Sequence, residues 1–192
     1  MAALPDLLPR VSFQGELGAF SEQAICQQWP LGATPLPCPS FDAAVQAVDD
    51  GVADFAVIPV ENAIVGPVHA GLAALAQAET RLDRRAEVRL PIHLCLMAPA
   101  GATLAGLRQV QSHGVALAQC RAFFLRHGWL EPVVHADTAG AAREVAAARD
   151  RSRGAVASSV AAERYGLEII ARSIEDVPAN WTRFVVISRA GD

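Results

Sequence analysis

Apolar and polar positions along this chain alternate between two periods. Arg10 to Gln14 reads as a short strand that ends at Gly15. Ser21 stands before a helical stretch running from Glu22 to Trp29 and is the residue type that caps a helix start. Pro30 to Pro39 holds four prolines and reads as loop. From Ser40 a second helix is predicted over Phe41–Asp50, because Phe41, Ala44, Val45 and Val48 recur at helical spacing before Gly51. Phe55-Ala56-Val57-Ile58-Pro59-Val60 is a continuous apolar run, the pattern of a parallel strand covered on both faces. Val68 to Ala78 follows as helix.

After a charge-rich stretch, Thr80 to Glu87, the alternation resumes. Val88 to Leu96 predicts one long strand bent at Pro91. Val110–His113 and Glu131–His135 read as short strands, and Val115–His127 as one helix ended by Gly128. Thr138–Ala148 and Ser159–Tyr165 read as helices, with strands at Gly154–Ala157 and Ile169–Ile170. Arg172 to Asn180 breaks the pattern a second time before a closing strand, Phe184–Ser188. Repeated β-α alternation makes this an α/β protein. Two breaks imply that the chain leaves a first lobe and later returns to it. The expected lobes are residues 1–85 with 175–192, and residues 86–174, with an interlobe cleft as the ligand site.

Composition narrows the function. With 52% hydrophobic and 19% charged residues, the 192-residue chain can bury a sizeable core. A net charge of −4 speaks against nucleic acid as a partner. All 16 basic residues are arginine, which excludes a Schiff-base lysine and a Walker-type phosphate lysine. Cys26, Cys38, Cys95 and Cys120 form no Cys-x-x-Cys, and the five histidines show no metal spacing, so no metal is expected. No apolar run reaches membrane-spanning length and no leader pattern opens the chain. The expectation is a cytoplasmic protein with free, mostly buried thiols and no membrane partner.

Candidate chemistry gathers where loops meet strands. Glu61 and Asn62 stand at the carboxyl end of the best-defined strand, where ligands bind in open parallel sheets. Ser112, His113 and Gln119 flank a strand-to-helix junction; Ser112 is either a plain helix cap or a carboxylate holder. Thr182 and Arg183 precede the closing strand, pairing a hydroxyl with a planar carboxylate-binding fork.

Four segments together resemble the prephenate dehydratases. They are Gly15-Glu16-Leu17-Gly18-Ala19-Phe20-Ser21, then Asp54 to Gly66 with its Pro59-Val60-Glu61-Asn62-Ala63, then Ser112-His113 with Gln119-Cys120, and finally Tyr165-Gly166-Leu167 with Ile174-Glu175-Asp176 and Asn180-Trp181-Thr182-Arg183-Phe184. The resemblance runs from about residue 10 to residue 189 in the same order. It implies a two-lobed type II periplasmic-binding-protein-like fold. It further implies a lyase of phenylalanine biosynthesis that turns prephenate into phenylpyruvate, carbon dioxide and water without metal or organic cofactor.

By the same resemblance Thr182 meets the leaving hydroxyl, and Arg183 is either a carboxylate partner or a strut. Glu61, Asn62, Ala63, Ser112, Gln119 and Phe184 then line the substrate, with Ser21 and Thr138 offering helix-start N–H groups. Ala63 stands where the family carries Ser or Thr, Ala19 where it carries Thr, Gly114 and Val115 where it carries Pro and Gln, and Asp137 where Ser is usual. Most members continue into a phenylalanine-sensing ACT domain. This sequence ends at Asp192, so inhibition by that route is not expected, and neither is a chorismate mutase ahead of it. Three alternatives stay open at this point: arogenate as substrate, a non-aromatising prephenate decarboxylase, and a non-catalytic binding module. Homodimerisation is also left open.

Overall fold

A computed structural model describes residues 8–78 and 80–191. Residues 1–7, Glu79 and Asp192, which the expected first lobe includes, lie outside the described residues. The chain divides into two compact units. Unit 1 comprises residues up to Gln14, Ala24–Leu90 and Thr182 onward; unit 2 comprises Gly15–Gln23 and Pro91–Trp181.

Unit 1 is built on a mixed sheet. Its strands are β1 (Arg10–Gln14), β2 (Thr34–Cys38), β3 (Phe55–Asn62), β4 (Gly66–Pro67), β5 (Leu82–Pro91) and β11 (Trp181–Arg189), in the order β2-β1-β3-β11-β5 with β4 beside β3. β3 is parallel to β1 but antiparallel to β11, so the apolar run marks a central strand of a mixed sheet and not of an all-parallel one. Helices α2 (Phe41–Asp49) and α3 (His69–Gln77) pack Val45, Val48 and Leu75 against Ile58, Val185 and Ile187. Ser40 caps α2 as expected, accepting from the Ala43 N–H at 3.1 Å.

Two stretches read as irregular are strands. β2 carries Pro35 and Pro37 at an edge, in register with Val11 and Phe13. Alternate residues of an edge strand turn their N–H groups to solvent, so those two lose no ladder bond. β5 begins at Leu82, inside the charge-rich stretch. It buries Leu82, Val88 and Leu90 and exposes Arg84, Arg85 and Arg89. As the other edge, it uses these charges to discourage further strand pairing.

Unit 2 holds β6 (Cys95–Ala98), β7 (Gln109–His113), β8 (Glu131–His135), β9 (Arg153–Ala157) and β10 (Glu168–Ala171), ordered β10-β6-β9-β7-β8. The long strand expected over Val88–Leu96 is therefore two strands, separated after Pro91, which ends β5. The helix expected over Val115–His127 is likewise two, α4 (Gly114–Ala118) and α5 (Arg121–Arg126). The break has a visible cause. Asp176 accepts from the N–H groups of Arg121 and Ala122 at 2.9 Å each, giving α5 its own N-terminal cap. α6 (Thr138–Ala148) and α7 (Ser159–Tyr165) start and stop as read from the sequence.

α1 (Phe20–Gln28) starts one residue before Ser21, so Ser21 lies inside the helix and does not cap it. Glu22, in the first turn, has its carboxylate accept from the Gly18 N–H, which ties the preceding loop to the helix. Gly18 has φ +89°, and a Cβ there would stand 2.9 Å from the Ala161 Cα. Both the conformation and the space require glycine. Ser158 Oγ donates to the Gly18 carbonyl at 2.6 Å, Tyr165 Oη donates to the Leu17 carbonyl at 2.5 Å, and Arg164 pairs with Glu22. The Gly-x-x-Gly segment and the Tyr165-Gly166 pair are thus two sides of one clamp within unit 2.

Candidate active site

In unit 1, antiparallel pairing of β3 with β11 sets Thr182 opposite Asn62 and Arg183 opposite Glu61. The register shifts between Arg183 and Phe184, a bulge that lets one strand carry an extra residue just inside the strand mouth. Asn62 Oδ1 accepts from the N–H groups of Ile64 and Val65, both at 3.0 Å, which tightens the turn leading to β4. With its oxygen so engaged, the Asn62 side chain presents its NH2, and this donates to Thr182 Oγ1 at 2.9 Å. The Thr182 hydroxyl accepts this bond and keeps its own proton to give.

Arg183 is held differently. Its Nε and Nη2 both donate to Glu61 Oε2, at 3.1 and 3.0 Å, and its Nη1 donates to Glu87 Oε1 at 2.9 Å. These bonds, the Glu61 one first, raise the pKa of a guanidinium that is already always charged. One cation between two carboxylates leaves this cluster net negative. Of the two roles open to Arg183, the geometry is that of a strut. Sequence reasoning misses Glu87 because it falls in the stretch that reads as irregular; the alternating Glu87-Val88-Arg89-Leu90 pattern is the signal that could have found it.

Phe184 is 2% exposed and Ala63 is exposed on the β3–β4 turn. Phe184 therefore anchors β11 in the core and offers a ligand almost no surface, contrary to its expected lining role.

In unit 2, Ser112 is fully buried and donates to the Val156 carbonyl at 2.6 Å, locking β7 to β9. It is neither a helix cap nor an open carboxylate holder. The cap of α4 is His113, whose Nδ1 accepts from the Val115 N–H at 3.3 Å. Gln119 is half-buried; its side-chain oxygen accepts from Asn180 Nδ2 at 3.3 Å and its carbonyl from the Asp176 N–H at 2.6 Å. The Asn180 carbonyl accepts from Ile92 N–H at 3.0 Å. Asn180, two positions before Thr182, is thus fixed at both ends of its polar surface. Glu175, with a side chain 2% exposed, accepts from the Leu94 N–H and meets His93 Nδ1, each at 2.9 Å. These bonds explain why Ile174-Glu175-Asp176 and Asn180 read as a motif: they tie down the segment that leads into β11.

Thr138 is the first residue of α6, half-buried, and Asp137 caps that helix by accepting from Gly140 N–H at 2.6 Å. A carboxylate in the cap position occupies an N–H group that an anionic ligand would otherwise use. Ser21 is buried. Cys95 and Cys120 are buried, whereas Cys38 is half-buried and Cys26 exposed, so two of the four thiols depart from the expected burial. Among the described residues there is no group of three potential metal ligands, and no helix is long and apolar enough to cross a membrane.

Unit 1 thus carries an oriented threonine hydroxyl and a strutted arginine at the mouth of one strand pair. The prephenate dehydratase family model matches residues 11–192, and the chain belongs to that family. It is similar to arogenate dehydratase 1 of Petunia hybrida, 44% identical over 182 residues that cover 94% of this chain and 42% of that protein. It is also similar to a bifunctional N-acyl-homoserine lactone acylase/prephenate dehydratase of Komagataeibacter europaeus, 41% identical over 93% of this chain and 62% of that one. The crystal structure of the prephenate dehydratase from Arthrobacter aurescens in complex with L-Phe superposes with a TM-score of 0.84 at 32% identity, covering 95% of this chain and 61% of that chain. The chain spans less than half the length of the Petunia relative it matches. The expected two-lobed α/β class is the class observed, with one sheet in each unit.

Proposed function

We propose that this chain converts prephenate to phenylpyruvate, without metal or organic cofactor, and that Thr182 is the group that meets the departing hydroxyl. The observation that supports this most is the Asn62–Thr182 hydrogen bond at 2.9 Å. It orients the hydroxyl as a donor toward whatever occupies the strand mouth.

In this reaction the bond from the ring carbon to its carboxylate breaks and carbon dioxide leaves. The electron pair enters the ring, and the bond from C4 to its hydroxyl breaks. That oxygen takes up one proton and leaves as water, and the ring becomes aromatic. Negative charge grows on the departing oxygen during this step, so a hydrogen bond donated there strengthens in the transition state. Threonine is a poor free acid, so its part is to hold the oxygen and relay a proton drawn finally from solvent. Arg183, pinned by Glu61 and Glu87, keeps the neighbouring backbone of β11 in place. Gln119 fixes Asn180 and so sets the entry of the same strand. Ala63, exposed on the turn after β3, is assigned substrate contact. Residues 11–192 work together as one catalytic domain, in a cytoplasmic protein of phenylalanine biosynthesis.

A second substrate is favoured by the 44% identity to an arogenate dehydratase. Arogenate carries an ammonium where prephenate carries a ketone, far from the bonds that break, so Thr182 would act identically on both. The test incubates purified protein with each substrate and follows the aromatic product by absorbance. Phenylpyruvate from prephenate, unaffected by a chelator, supports the reading. A non-aromatic decarboxylated product, or no turnover of either substrate, overturns it.

A further inference from the structure

The Tyr165-Gly166-Leu167 motif has a second face that the proposed reaction does not use. It forms one wall of a cavity of about 400 Å3 within unit 2, which Pro99, Ala146, Arg149 and Arg151 complete. Such a volume is within the range of small-molecule pockets. The cavity shares no residue with the site described above.

Its chemistry is divided. Pro99, Ala146, Leu167 and the Tyr165 ring give an apolar floor, and the two arginines give a cationic rim. Arg149 makes no side-chain hydrogen bond or ion pair among the described residues. It also adopts φ +54° at the end of α6, a left-handed position that glycine fills without steric cost. Arg151 donates its Nε to the Ala100 carbonyl at 3.0 Å, and its two terminal nitrogens make no hydrogen bond among the described residues. No carboxylate forms an ion pair with either arginine among the described residues. Asp150 is turned to the N–H and hydroxyl of Ser152, and Glu168 to the Gly101 N–H. The walls are set in advance: Tyr165 is held by its bond to the Leu17 carbonyl and Arg151 by Ala100. Walls fixed beforehand lower the ordering cost of binding, which then falls mainly on Arg149.

We propose that this cavity is a second binding site, for a small organic carboxylate whose apolar body rests on the Tyr165–Leu167 floor while Arg149 and Arg151 hold its charge. A bare oxyanion would leave the floor unused, and a neutral aromatic would leave the guanidinium groups unmatched.

The test titrates the 15N-labelled protein with benzoate and follows backbone amide shifts. Saturable shifts at Gly101, Gly166 and Leu167 are expected, with a dissociation constant of about a millimolar. Inorganic phosphate and benzyl alcohol should each bind at least about tenfold more weakly, since each lacks one half of the match. R149G should weaken benzoate by about tenfold or more while leaving thermal stability equal or higher, because it removes both the charge and the unfavourable φ. R151Q gives a second reading of the same loss at a residue without backbone strain. Absence of shifts at these amides overturns the proposal. So does phosphate binding as tightly as benzoate, or benzoate affinity within about threefold of wild type in R151Q, where a lost charged bond should cost about tenfold.

Discussion

Replacing Asn62 by aspartate (N62D) reverses one hydrogen bond and keeps the shape. The Asn62 oxygen accepts from Ile64 and Val65, and an aspartate oxygen can do the same. Opposite Thr182 the change is complete: a donor becomes an acceptor at 2.9 Å. The Thr182 hydroxyl must then give its proton to the introduced carboxylate, and has none to offer a departing oxygen. A positioned proton donor is worth about 10²–10⁴-fold in rate, so kcat should fall by about 10²-fold, or about 2.7 kcal/mol in barrier height. Stability should change little, by under about 1 kcal/mol, because the turn bonds survive. N62A serves as the contrast. It loses the two turn bonds and the Thr182 bond, costing about 1–3 kcal/mol of stability, yet leaves the Thr182 proton free. The assay is steady-state kcat and KM beside a thermal melt. The added negative charge would raise KM for an anionic substrate, so kcat is the quantity that decides. If N62D keeps kcat within about threefold of wild type, where the donor should be worth about 10²-fold or more, the orientation of Thr182 is not what drives the reaction.

Other consequences follow from the same contacts. Gly18→Ala should lower stability by about 1–3 kcal/mol in a thermal melt, since its Cβ meets the Ala161 backbone at 2.9 Å and its φ is +89°. Glu61→Gln should reduce kcat/KM more than Glu87→Gln, because Glu61 takes two of the three Arg183 bonds; both pairs are half-exposed, so melts should move by under about 1 kcal/mol. Burial first, and then the charges of Asp176 and Glu175, push the Cys120 thiol up from 9.0 to about 12. Above pH 9 the unfolded thiol loses its proton while the folded one keeps it, so stability should fall from pH 9 towards 12, and Cys120→Ala should flatten that limb of the stability profile.

Much of this architecture is visible in the sequence. Helices with clear periodicity and a polar cap, such as Phe41–Asp49 behind Ser40 and Thr138–Ala148 behind Asp137, fall where the pattern places them. The misread stretches share a cause: their structure depends on partners distant in the chain. β2 tolerates Pro35 and Pro37 because β1 lies on one side only. The gap between α4 and α5 is made by Asp176, some 55 residues away. For the candidate site, Glu61, Asn62, Thr182 and Arg183 are legible as polar residues at strand mouths. Their pairing is not, because the register and bulge of β3 against β11 bring together residues about 120 apart. Ser112 and Phe184 carry a motif's appearance for packing reasons, which only burial reveals.

The most direct test of the central claim compares Thr182→Ala with Thr182→Ser on prephenate, with a thermal melt of each. The hydroxyl that Asn62 holds at 2.9 Å is absent from the first and present in the second. The account predicts that Thr182→Ala lowers kcat by about 10²-fold or more with KM little changed, whereas Thr182→Ser keeps most of the activity. If Thr182→Ala folds normally and turns over within about threefold of the wild-type rate, where a lost proton donor should cost about 10²-fold, then Thr182 is a structural residue of β11 and the proposed chemistry is wrong.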